Sequence, residues 1–273
     1  MFTRLIALGT LVSLIAALLV TLAALHIGQG TATELIAVEI NADNDLDIVL
    51  VDVNQGLRVN ISRPDSQDTA PFWSPDGRTL GFIRIIDAAR GQREVITLFD
   101  THGGTTRQID IHSASIDAMY DPTFTADGTQ IIFGDLIPGF FEETRLPHLL
   151  SMDGEVRELD QTADLARDYI AVDRGLRNGI IPAPDGSQIL EVVQRAGAWY
   201  LVLTTGTQQR TLREVSALTA TPRARVTWSA DGAQVAYLDD IDGRLSLVVL
   251  DVVTNQAQMY TGPYAALDLA WAP

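Results

Sequence analysis

Apolar positions along the chain fall into short runs divided by polar turns. Thr79-Leu80-Gly81-Phe82-Ile83-Arg84 and Gln234-Val235-Ala236-Tyr237-Leu238-Asp239 alternate with period two. That is the pattern of a strand with one buried and one wetter face. Each run follows an Asp-Gly pair, Asp76-Gly77 or Asp231-Gly232, which in turn follows another apolar run. In such a pair Asp bonds to local backbone and Gly adopts positive φ without a Cβ clash, so the unit reads strand, tight turn, strand. Asp127-Gly128 and Asp185-Gly186 repeat it, at intervals of roughly 50 residues. Two further strand candidates follow each copy, such as Glu94–Phe99 and Thr106–Asp110 after the first, or Ser246–Asp251 and Ala257–Tyr260 after the fourth. Periods of ~40–50 residues with about four short strands each are those of β-propeller blades.

The two ends of the repeat region complement one another. Leu267–Trp271 supplies only a first strand, while Glu34–Ile40, Asp47–Asp52 and Leu57–Ile61 supply the other three. One blade is therefore predicted to be shared between the termini, which removes exposed sheet edges. The expected fold is all-β: a five-bladed β-propeller with shared-terminus closure, over residues 31–273. A sixth blade, the alternative, would have to form within Asp160–Gly179.

The motif Phe72-Trp73-Ser74-Pro75-Asp76-Gly77, echoed by Trp228-Ser229-Ala230-Asp231-Gly232, resembles the TolB-like (WD40-like) propeller repeats of bacterial proteins. Phe124-Thr125-Ala126-Asp127-Gly128 keeps the pattern, and the copy at Ala183-Pro184-Asp185-Gly186 lacks the aromatic. The resemblance spans residues 34–273. It implies a propeller scaffold of a kind that is commonly extracytoplasmic and often protein-binding, and it brings no catalytic residue with it. The turn residues Asp76, Gly77, Asp127, Gly128, Asp185, Gly186, Asp231 and Gly232 are read as structural. Trp73, Phe124, Trp228 and Trp271 are read as core between blades.

Residues 1–30 have a different character. Arg4 precedes Leu5–Leu25, an apolar run interrupted only by Thr10, Ser13 and Thr21. As a helix it spans roughly 30 Å, the thickness of a bilayer core. It reads as one N-terminal transmembrane anchor or, alternatively, a signal segment cleaved near Gly30-Thr31-Ala32. No Arg or Lys follows Arg4 until Arg58, which favours the N-terminus inside and the propeller on the extracytoplasmic side of the cytoplasmic membrane.

Charge and composition narrow the chemistry. The 273 residues carry a net charge of −16, which repels phosphate backbones and argues against nucleic acid as a partner. Cysteine is absent, removing disulfides, thiolate metal sites and cysteine nucleophiles. No Gly-x-Ser-x-Gly elbow, phosphate loop or His-Glu-x-x-His motif occurs. His26, His102, His112 and His148 are not spaced as a zinc cluster. Asn41–Asp47 and Asp239–Gly243 are rich in oxygen ligands, but residue 46 is Leu where a calcium loop needs Gly. Both read as hairpin turns. No metal or cofactor is expected.

Function is therefore expected on the loops. The a–b turns are uniformly tight. The b–c and d–a connections, among them Ile86–Arg93, His112–Tyr120, Asp135–Pro147, Asp160–Asn178 and Glu214–Arg223, are read as long and dissimilar, and variable loops on a rigid scaffold carry function. Phe140 and Phe141, with Tyr120 and Tyr169, are the candidate contacts for another envelope or extracellular protein. Asp164–Tyr169 reads as a linker or a single helical turn over the channel mouth. The chain is expected to be non-catalytic. The alternative is a carbohydrate-active or sugar-binding propeller, whose paired carboxylates would be drawn from Asp117, Asp121, Asp268 and Glu191.

Overall fold

A computed structural model describes residues 35–42, 45–63, 66–88, 91–111, 116, 118–136, 145–177, 179–216, 226–261 and 268–273. They form five four-stranded antiparallel sheets and one helix, the arrangement of a β-propeller. Blade 1 holds β20 (Leu269–Trp271), β1 (Leu35–Ala42), β2 (Asp45–Asp52) and β3 (Arg58–Asn60). Blade 2 holds β4 (Gln67–Trp73), β5 (Thr79–Ala88), β6 (Gly91–Asp100) and β7 (Thr105–Ile109). Blade 3 holds β8 (Tyr120–Phe124), β9 (Gln130–Leu136), β10 (Arg145–Ser151) and β11 (Val156–Glu158). Helix α1 (Asp164–Arg177) comes next. Blade 4 holds β12 (Ile180–Pro182), β13 (Gln188–Arg195), β14 (Ala198–Thr205) and β15 (Gln208–Val215). Blade 5 holds β16 (Val226–Trp228), β17 (Gln234–Ile241), β18 (Arg244–Asp251) and β19 (Ala257–Thr261). The first and last described strands meet in blade 1, where Ile36, Ala37 and Val38 pair with Trp271, Ala270 and Leu269.

The turn chemistry behaves as read. In blade 2 the Ser74 hydroxyl donates to Asp76 (2.7 Å) and accepts from Thr79 N–H (2.9 Å), while Asp76 also accepts from Arg78 N–H (3.1 Å). Gly77 sits at φ 66°, where any side chain would be strained. Thr125 with Asp127 and Ser229 with Asp231 repeat the geometry. In blade 4 Ala183 lacks the hydroxyl, and Asp185 accepts instead from the backbone and hydroxyl of Ser187. A second set of caps lies at the c–d turns, where Asp52, Asp100 and Asp251 accept from backbone N–H groups two or three residues on.

The middle strands differ from the expected one-faced alternation. Asp45–Asp52 and Arg244–Asp251 are buried almost continuously toward their C-terminal halves, because every blade has a neighbour on both faces. Outermost strands such as β7 present mostly exposed residues. On β5, Leu80 and Phe82 pack against blade 1 while Ile83 packs against blade 3. The repeated aromatics lie in these seams, with Trp73 and Trp228 each donating the indole N–H to the inner strand of the preceding blade, at Ala270 O and Ile181 O (both 3.1 Å). This meets the rule that a buried indole finds an acceptor.

Two seam features yield measurable consequences. Arg84, on the same face of β5 as Phe82, is 1 % exposed and forms a two-pronged ion pair with Asp68, which is fully buried (2.8 and 2.7 Å). The guanidinium carbon also lies 5.3 Å from the Phe82 ring centroid. Asp68→Ala leaves that cation buried and unpaired, and should cost about 3–5 kcal/mol in chemical denaturation. Gly81, opposite Phe72 on β4, leaves room for the Phe72 ring, which itself packs 5.3 Å from Phe124 across the blade 2–3 seam. A Cβ at position 81 would stand 2.3 Å from Phe72 Cζ. Gly81→Ala should therefore destabilise by about 1–3 kcal/mol, with part of the loss recovered in a Gly81→Ala/Phe72→Leu double variant.

Candidate functional site at the channel

The loop face is less varied than expected. Ala42 pairs with Asp45, Ala88 with Gly91, Arg195 with Ala198 and Ile241 with Arg244. Four of the b–c connections are thus two-residue hairpins, and the stretch Ile86–Arg93 is mostly strand. Asp242 and Gly243 at φ 55° and 76° form the primed turn that fits strand twist. Blade 3 alone has a long b–c connection, residues 137–144, between Leu136 and Arg145. The remaining variation lies in the d–a segments, and Asp160–Asn178 is chiefly a 14-residue helix rather than a linker.

The inner strands beside that helix are bent in a repeated way. β4 bulges between Thr69 and Phe72, and β8 between Tyr120 and Thr123. Ala70 and Asp121, six residues before Asp76 and Asp127, take φ 52° and 46°. Gly179, six before Asp185, takes φ 68°. Asp is among the few non-glycine residues that tolerate this region. Buried Glu39 of β1 holds the first bulge, accepting from Thr69 Oγ1 (2.5 Å) and Ala70 N–H (3.0 Å). Pro71 and Pro122 follow the bent residues and remove a ladder donor where the strand has left its ladder.

Helix α1 begins where Asp160 accepts from Thr162 N–H (2.8 Å) and its carbonyl accepts from Ala163 N–H (2.9 Å). Ala166 and Tyr169 pack on Ile132, Leu149 and Leu159 of blade 3. The Tyr169 hydroxyl donates to Tyr120 O (3.0 Å), with Asp121 O at 3.3 Å. Leu165, Asp168, Tyr169 and Val172, spaced three and four apart, line a cavity of about 380 Å³. Its other walls include Pro71, Pro122 and Leu269 on the inner strands of blades 1 to 3, together with Thr125, Ala126 and Ile132 of blade 3. The size and the mixture of apolar walls with a few polar groups are those of ligand sites.

The expected site residues are placed as follows. Asp121 and Asp268 line the cavity, joined by Asp168, which was not foreseen. Glu191 lies apart on β13, accepting from the Thr204 hydroxyl (3.1 Å). Tyr169 is 8 % exposed, so its ring docks the helix rather than facing a partner. Tyr120 is half-buried at the start of β8. Phe140, Phe141 and Asp117 lie outside the described residues, as does the apolar leader. Among the described residues no helix is long and apolar enough to cross a membrane, and no group of three His, Cys, Asp or Glu could hold a metal. A second groove, of about 740 Å³ on the a–b face, is lined by Asp76, Asp100, Asp127 and Arg107. The aspartates are engaged in their turns and Arg107 in a bond to Met152 O.

Two kinds of carboxylate coexist. Asp76, Asp127 and Asp231 are held below the ordinary value of 3.8 chiefly by the Ser74, Thr125 and Ser229 hydroxyls, and Asp185 by the Ser187 backbone. Their stabilisation is present above 3.8 and is lost as pH falls through the lower folded value. Glu94 is the reverse: burial at the blade 2–3 seam pushes it above 4.5, Asp135 adds to the effect, and Met119 N–H opposes it. Ionised Glu94 therefore weakens the fold, and this penalty is absent below 4.5 and grows as pH rises through the folded value. Glu94→Gln keeps an acceptor for Met119, so it should raise the urea midpoint at pH 7 and leave it nearly unchanged at pH 4.

No protein-family model matches the sequence, and no curated protein does. The solved structures similar to the chain are TolB-like and related propellers. TolB from Acinetobacter baumannii is 13% identical with a TM-score of 0.47, covering 89% of this chain and 68% of that one. A chain of a nidogen/laminin complex is 12% identical with a TM-score of 0.46, over 88% and 98%. An oligogalacturonate lyase from Vibrio parahaemolyticus is 15% identical with a TM-score of 0.34, over 80% and 60%.

Proposed function

We propose that the chain is a non-catalytic recognition propeller. It is held outside the cytoplasmic membrane by its apolar leader and binds another envelope or extracellular protein through the face that carries the d–a segments. The observation behind this reading is α1. The one described helix interrupts the repeat on that face, and it leaves Leu165 (38 %) and Val172 (55 %) exposed beside the channel. The opposite face is built of near-identical self-capped turns. Phe140 and Phe141, on the long blade-3 connection of the same face, are assigned to the contact as well.

A carbohydrate-active propeller is the second reading, favoured by the three aspartates around one cavity, since glycoside chemistry works with paired carboxylates. Affinity capture from native envelopes separates the two. The wild type is expected to retain a specific protein, Val172→Glu and Phe140→Ala/Phe141→Ala to lose it, and Val253→Glu on the c–d face to keep it. Capture indifferent to all three variants, together with glycoside hydrolysis abolished by Asp121→Asn, would replace the first reading with the second.

A further inference from the structure

We propose that α1 is a removable wedge: it undocks as a unit from blades 3 and 4 while every blade stays folded, opening the ring at that single seam and the channel cavity with it. The inference concerns the propeller itself and does not depend on what the protein binds.

Four seams are knitted sheet to sheet. Blade 5 meets blade 1 through Leu238 and Trp271, blade 1 meets blade 2 through Leu50 and Phe82, blade 2 meets blade 3 through Phe72 and Phe133, and blade 4 meets blade 5 through Leu203 and Tyr237. Among the described residues, the seam between blades 3 and 4 has no such cluster. Blade 3 presents Ile132, Leu149 and Leu159 to Ala166 and Tyr169 of α1, with Ala163 and Ile170 at the margin. On the other side the helix adjoins β12. The seam is thus filled by an element that belongs to neither sheet.

A helix can leave such a position in a way that a strand cannot. Removing a strand breaks a ladder and strands its backbone polar groups, whereas a helix carries its own hydrogen bonds with it. The cavity side of α1 resists little, since Leu165 and Val172 are already exposed. A polar bond that fastens the helix to the sheets runs from the Tyr169 hydroxyl to the carbonyls of Tyr120 and Asp121. Once free, a helix of this length is marginal in water, so its amides exchange. Local openings of this kind occur well below the free energy of global unfolding.

Native-state hydrogen exchange of the full chain, read by mass spectrometry or NMR, tests the proposal. Amides of 168–177 should exchange at least about tenfold faster than those at the centres of β5 and β17. Tyr169→Phe should quicken the α1 amides several-fold, since it removes the hydroxyl that holds the helix to the Tyr120 and Asp121 carbonyls. Tyr260→Phe is the control, because its hydroxyl makes the corresponding bond to Val53 O across the seam between blades 5 and 1. That variant should leave exchange in α1 unchanged. Exchange of α1 at the rate of the blade centres, or equal acceleration of α1 by both variants, would mean that the helix opens only with the whole domain and would overturn the proposal.

Discussion

Every blade has two apolar faces, and each face must be covered by another element. This single requirement governs most of the molecule. It explains why Asp45–Asp52 and Arg244–Asp251 are buried on both sides, why an aromatic precedes the a–b turns of blades 2, 3 and 5, and why β20 and β1 must meet. It also sets where polar groups can survive. A buried charge in a seam must bring its partner with it, as Arg84 brings Asp68, and an indole must reach a carbonyl on the neighbouring blade. The helix satisfies the same requirement by other means, covering one face of blade 3 where no sheet does.

The architecture was legible because its signals are local and repeated. Asp-Gly at a constant place after an apolar run specifies a hairpin wherever it occurs, and the complementary strand inventory at the two ends predicts the β20–β1 pairing. What escaped the reading depends on contacts between distant residues. Arg84 sits in an alternating run that looks half-wet, and its burial becomes evident only when Asp68 and the Phe82 ring are placed beside it. Helix α1 was obscured by its polar first turn, Asp164 and Arg167, which resembles a linker. Its apolar spacing through Leu165, Tyr169 and Val172 was the available signal. The channel position of Asp168 follows from that same spacing, and was missed for the same reason. Tyr169 could be recognised as an aromatic on a variable segment, but only the docked helix reveals that its ring is buried.

Acidity is distributed with a similar division of labour. Asp52, Asp76, Asp100, Asp127, Asp160, Asp185, Asp231 and Asp251 act as caps, in which the charge is welcome because local N–H and O–H groups converge on it. Asp47 and Glu94 occupy seams near the other face, where burial and neighbouring carboxylates push their affinity for protons upward. Capping thus favours the ionised carboxylate, and burial in a seam opposes it.

The pairing of β20 with β1 has a consequence for how the protein is made. Residues such as Val38 and Leu269 are neighbours in space but lie near opposite ends of the described chain. Contacts of such long sequence separation form slowly, because the loop they close is large. During synthesis, which proceeds at about 5–20 residues per second, blades 2 to 5 can assemble in order as they emerge. Blade 1 must wait as a three-stranded sheet with its β1 edge unpaired until β20 arrives. An unpaired strand edge invites wrong partners, and the finished ring removes this one only when β20 pairs with β1.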